Sequence, residues 1–199
     1  MKARIVADLS ELPISGPRGS SPTWWGNLAF MLIEGTGFAL AVAVYLYLAT
    51  VVATWPPAPP PELAAGSGVA LVLLLSLIPN FLLSRWAKAQ DLRRVRLGLL
   101  VMIGVNVLPL ALRVLEFGAF HVRWDESAYG SIVWVLLGLH TTHLLADLVE
   151  TMVLAVLMFT RHADNPRRYG DVEDEVAYWY FIVATWMPVY ACLYWVPRL

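Results

Sequence analysis

The chain has 199 residues, 59% hydrophobic and 15% charged, against about 25% charged in soluble domains. Its formal net charge is -1 and no long basic run could follow a phosphate backbone, so nucleic acid is not an expected partner. A single cysteine, Cys192, excludes an intrachain disulfide, a thioredoxin-type CxxC pair and a c-type haem attachment site.

This is the composition of an integral membrane protein, and its segments follow in order. Met1 to Pro22 holds Lys2, Arg4 and Arg18 among prolines, glycines and serines, which predicts a mobile tail. It has no apolar stretch of the signal-peptide kind, so no cleavable leader is expected. Trp24 and Trp25 mark a membrane interface and open the first span. Glu34 lies ten residues on, about 15 Å deep at ~1.5 Å per residue, near the middle of a ~30 Å hydrocarbon core. An acid there is protonated or paired. It is either a neutral group bonded to a neighbouring helix or a proton-linked or subunit-contact site.

Pro56 to Pro61 cannot continue a helix and predicts a stiff loop. The second span, from Val69 to about Trp86, carries Pro79, which frees a backbone carbonyl one turn earlier, and Asn80, which is placed to satisfy it. Arg85, Lys88, Arg93, Arg94 and Arg96 surround Asp91 in the next loop and read as a topology signal that also attracts anionic lipid. The third span runs from about Leu97 to Phe120. Arg113 and Glu116 stand three apart near its far end, so an intrahelical ion pair is available, with an interhelical or intersubunit bridge as the alternative.

The fourth span, Tyr129 to Thr160, carries His140, His143, Asp147 and Glu150 in one seam, within an arc of roughly 80°. Such a seam is expected to face protein or trapped water. Asp147, one turn below His143, is expected to bond with it. After the Arg161 to Glu173 loop, Glu173, Asp174 and Glu175 are expected to open an aromatic-rich last helix and complement its dipole. The sequence thus predicts an all-α, polytopic membrane protein. A mobile cytoplasmic tail occupies 1–23 and a five-transmembrane-helix bundle occupies 24–199, with spans near 24–54, 67–86, 97–120, 129–160 and 174–196.

Basic residues fix the expected direction. The tail, the loop after span two and the loop with Arg161, Arg167 and Arg168 fall on one side; the other has only Arg123 and Arg198. The positive-inside rule then puts the N-terminus in the cytoplasm and the C-terminus in the periplasm.

Three explanations fit the polar set Glu34, Arg113, Glu116, His140, His143 and Asp147. Two histidines at i and i+3 could share a metal or haem. Midplane acids and histidines could conduct protons. They could also hold helices together or meet a partner subunit. A histidine-rich di-iron cluster of the membrane hydroxylase kind cannot assemble from four histidines of which His121 and His162 sit in opposite loops.

Several motifs occur together in order: Glu34-Gly35 on the first span, RVLEF at Arg113 to Phe117, YGS at Tyr129 to Ser131, GLHTTH at Gly138 to His143, and Glu175-x-Ala177-x-Trp179 with Trp186 beyond. With them the chain resembles subunit III of the heme-copper terminal oxidases (cytochrome c and quinol oxidases), in the five-helix bacterial form, over nearly everything after residue 23. Tyr180 and Val183 stand where that family commonly has His and Asp. Asp147 and Glu150 stand where it commonly has small or apolar residues, which marks a divergent branch.

The resemblance implies a non-catalytic subunit of an aerobic respiratory oxidase in the bacterial inner membrane, one that stabilises the catalytic subunit and supports proton uptake during O2 reduction. It implies no catalytic residue, metal or cofactor in this chain. Haems and copper would sit in the partner subunits I and II, with phospholipid bound between helices and a larger respiratory supercomplex as a further setting. Glu34 would correspond to the family's intramembrane acid, and His140 and His143 to its histidine motif tying the fourth helix to its neighbours. An accessory protein of a nitric oxide reductase, or an independent membrane haem/metal-binding or proton-conducting protein, are the competing functions.

Overall fold

A computed structural model describes residues 22–57 and 59–199. The expected mobile tail, up to residue 21, lies outside the described residues. Five long helices follow: α1 (Pro22–Val51), α2 (Leu63–Lys88), α3 (Leu92–Ala119), α4 (Ala128–Phe159) and α5 (Arg167–Tyr190), the last continued by a π turn, Ala191–Trp195, and a 3-10 turn, Val196–Arg198. All five are long and apolar enough to cross a membrane, and no strand occurs among the described residues. The protein is an all-helical, multi-pass membrane protein.

The α2–α3 and α3–α4 connections are short, and local stops hold the helix ends there. At the α2–α3 corner Gln90 adopts a left-handed conformation (φ 53°), and the Asp91 amide reaches back to the Trp86 carbonyl at 3.1 Å. Asp91 then caps α3 by accepting from the Arg94 amide at 3.1 Å. Such caps satisfy backbone groups that a helix terminus leaves open. Ser127 does the same for α4 through the Gly130 amide, 3.0 Å. The loop before it is held by Trp134 Nε1 donating to the Val122 carbonyl (2.8 Å) and Ser131 Oγ donating to the Trp124 carbonyl (2.6 Å). In that exposed loop the Arg123 guanidinium, bonded to Asp125, holds the Asp125 carboxyl below its usual range.

The last helix begins at Arg167, not at the acid triplet. Glu173, Asp174 and Glu175 therefore lie beyond the first turn, where the dipole no longer acts strongly, and the expectation that they complement it is corrected. The residue that matters there is Glu175, which turns into the bundle.

Packing divides the helices into a compact group, α2 to α5, and a peripheral α1 that rests on α4 and α5 and buries only Phe38 and Tyr45. In a membrane lipid is as apolar as leucine, so close packing and buried hydrogen bonds hold helices together. Three bonds fasten α2 to α5: Trp179 Nε1 donates to Ser76 Oγ (2.8 Å), Asn80 Nδ2 to the Val176 carbonyl (3.1 Å), and Ser67 Oγ meets Tyr190 OH (2.7 Å). Asn80 thus serves the neighbouring helix rather than the carbonyl freed by Pro79, because its amide projects across the interface. Close approach is provided by Gly66 against the Tyr194 ring and Gly98 against Leu83 and Trp86.

Candidate functional site

The ionisable residues inside the bundle form three clusters stacked along α4. The first joins α3, α4 and the end of α5. Arg113 Nη1 donates to Glu116 Oε2 at 2.5 Å, and Tyr194 OH donates to Glu116 Oε1 at 2.5 Å. The Arg113 guanidinium also lies over the Trp186 ring, 4.1 Å from its centre, and its Nη2 is 3.0 Å from His140 Nδ1. A guanidinium can only donate, so His140 Nδ1 accepts, and the ring proton sits on Nε2, which donates to the Ile182 carbonyl at 3.1 Å. Both nitrogens of His140 are therefore engaged. Arg113 and Glu116 are 1% and 0% exposed, so each compensates a charge that neither water nor lipid reaches.

The second cluster joins α1, α4 and α5. His143 Nδ1 donates to the Leu139 carbonyl, 2.6 Å away and one turn back on the same helix. Its Nε2 faces Glu34 Oε1 at 3.2 Å, an ion-pair approach rather than an aligned hydrogen bond, while Tyr178 OH donates to Glu34 Oε2 at 2.9 Å. A bare Nε2 lone pair would repel a carboxylate. One proton must therefore lie between the two groups, whichever of them carries it. The buried Phe38 ring packs against His143, 4.9 Å from its ring.

The third cluster joins α3, α4 and α5 one turn further along. Asn106 Nδ2 donates to Asp147 Oδ2 at 2.8 Å; Thr151 Oγ1 bonds to the Asp147 carbonyl and contacts Glu175 Oε1. Asp147 is therefore not the partner of His143. Its side chain points toward α3 and α5, whereas His143 turns toward α1, a divergence of rotation that spacing along one helix does not reveal.

Of the expected residues, Glu34 and His143 meet, Arg113, Glu116 and His140 meet, and Asp147 stands apart with new partners. Glu150 departs from the seam: it is exposed and lines a groove of about 270 Å3 with Thr23, Arg168, Asp171 and Asp174. Tyr178 and Tyr194, read from the sequence as aromatic packing, Glu175, read as opening the last helix, and Asn106 and Thr151, given no role there, are the further participants. A usable signal existed for two of them: Thr151 follows Asp147 by one turn, and Tyr178 follows Glu175 by three residues on the inward face of α5. Among the described residues no group of three or more His, Cys, Asp and Glu side chains has the arrangement of a metal centre.

Comparison with known proteins gives a consistent pattern. A family model described as cytochrome c oxidase subunit III matches residues 66–197. A cytochrome c oxidase subunit 3 from Branchiostoma lanceolatum is 26% identical over 71% of this chain and 55% of its own length. The protein of the same name from Cyanidium caldarium is 27% identical over 52% of this chain and 38% of its own length. That from Pisaster ochraceus is 31% identical over 35% and 26%. The chain spans about half or less of the curated relatives it matches. The match includes the first and third clusters whole, and omits α1 with Glu34.

Proposed function

The chain belongs to the cytochrome c oxidase subunit III family, and from that membership we propose that it is the non-catalytic third subunit of an aerobic respiratory heme-copper oxidase. In this reading it braces the haem- and copper-bearing subunit I, with subunit II in the same complex, and sustains proton uptake during O2 reduction. It binds phospholipid but no haem or copper of its own. The complex lies in the bacterial inner membrane with the N-terminus of this chain on the cytoplasmic side.

One observation carries the bracing role. In the first two clusters Arg113 bonds to His140, His140 to the Ile182 carbonyl, Tyr194 to Glu116 and Tyr178 to Glu34, each across two elements, so these side chains act as joints rather than as an open ligand set. A haem or metal bound through histidine needs a free ring nitrogen. His140 donates one nitrogen to Ile182 and accepts from Arg113 with the other, and His143 directs its two at Leu139 and Glu34. Buried Cys192, alone of its kind, could not build a copper centre bridged by two thiolates.

The test is a mild-detergent pull-down of the tagged chain from its native membrane, read by mass spectrometry and a reduced-minus-oxidised spectrum. Co-purification of a multi-helix haem and copper subunit with its copper or quinol-oxidase counterpart is the expected result. Recovery with a nitric oxide reductase, or a Soret band from the chain alone, overturns the reading.

A further inference from the structure

The third cluster is short of hydrogen-bond donors. Asp147, Glu175 and Asn106 are 2%, 5% and 1% exposed, yet Asp147 Oδ1, Glu175 Oε2 and Asn106 Oδ1 have no hydrogen-bond partner among the described residues. All three are acceptors. The donors facing them are the Asn106 amide, already given to Asp147 Oδ2, and the single hydroxyl of Thr151. That hydroxyl is 2.9 Å from the Asp147 carbonyl, which can only accept, and it also contacts Glu175 Oε1. When its one hydrogen goes to the carbonyl, the Glu175 contact is completed by a hydrogen on the carboxyl itself.

Among the described residues no positive side chain is bonded to either acid of the pair. On α1 Glu34 is engaged by His143 and Tyr178; α2 offers uncharged Asn80, and α3 offers Asn106. On α4 and α5 the charged neighbours that act on the pair are Glu150 and each other, with Asp171 and Asp174 beyond Glu150 in the groove. The one arginine of that groove, Arg168, is bonded to Asp171 at 2.7 Å. Two facing carboxylates in such a setting cannot both stay ionised without a cation between them.

The geometry points to a proton-holding pair: Asp147 and Glu175 keep one proton between them, bridged by Thr151, and exchange it with water in the groove by way of Glu150. Glu150 is exposed to the groove about one turn along α4 from buried Asp147, near enough for its charge to act on Asp147. Because Asp147 Oδ1 has no direct partner among the described residues, exchange runs through a water. Glu150 gives its proton to that water as the water gives one to Asp147 Oδ1, and the doubly protonated pair then returns one proton by the reverse path, so its two acids are never ionised together. The pair belongs to this chain alone and does not depend on which complex the chain joins.

Infrared spectra of the full-length chain in lipid, perfused with H2O and then D2O, test the site. A protonated-carboxyl C=O band that shifts in D2O is expected. Asp147→Asn and Glu175→Gln each remove or displace part of it, and Glu150→Gln slows its exchange several-fold without removing it. Thr151→Val keeps both acids and displaces the same band, so the test stands even where an acid variant fails to fold. A band indifferent to Asp147, Glu175 and Thr151 overturns the proposal. So does unchanged exchange in Glu150→Gln, or one divalent ion per chain, measured by elemental mass spectrometry, that Asp147→Asn releases.

Discussion

Arg113 and Glu116 illustrate what a buried pair does for a membrane bundle. Each is stabilised by the other and by fixed partners, Trp186 and His140 for the cation, Tyr194 for the anion. Removing one charge strands the other, at about 3–5 kcal/mol. Arg113→Met or Glu116→Leu alone is therefore expected to destabilise the purified chain by that amount in denaturant unfolding, whereas the double variant recovers most of it. Additive losses would mean that the pair is not coupled. Glu34→Gln is expected to be milder, about 1–3 kcal/mol, because the amide still accepts from Tyr178 while the proton shared with His143 is lost. A loss of less than 0.5 kcal/mol by the same assay would be about the size of an ordinary surface change and would contradict the joint. At this scale the sequence announced which residues are polar inside the spans and the pairing of Arg113 with Glu116, but not the partners of the others. Asp147 and His143 are one turn apart on α4 and still face different helices, since partner choice depends on the rotation of α1 and α3, which the periodicity of α4 does not encode.

The helices themselves were more legible, because uninterrupted apolar length leaves few alternatives to a span. Their ends were less so: α5 starts at Arg167, upstream of the acids that marked its start, because Asn165 and Pro166 stop the preceding turn and their side chain and backbone receive the first amides of the new helix. Contacts between elements give two further expectations. Gly66 abuts the Tyr194 ring that donates to Glu116, so Gly66→Ala should cost about 1–3 kcal/mol by displacing that ring. Gly104→Ala, which meets nothing within 4 Å, should be neutral or up to about 1 kcal/mol stabilising. Equal losses at both sites in thermal unfolding would count against close α2–α5 packing as the cause. At the α2–α3 corner, Gln90→Gly should raise stability by about 1 kcal/mol, since glycine adopts the left-handed conformation without strain.

For the molecule as a whole, the uneven distribution of arginine and lysine sets an expected direction in the membrane. In a Cys192→Ala background, Glu126→Cys should react with a membrane-impermeant maleimide in intact cells, and Asp164→Cys only after permeabilisation. The reverse pattern would invert the topology. The peripheral placement of α1 has a consequence in time. Its acid enters the bilayer first, yet Tyr178, which completes that acid's surroundings, is made 144 residues later. At about 5–20 residues per second this is an interval of roughly 7–30 s. Until α4 brings His143 the nascent α1 carries an unmatched carboxyl within an apolar span, and its surroundings are completed only by α5, so the order of synthesis requires either a bound proton or a holding factor in the first part of that interval.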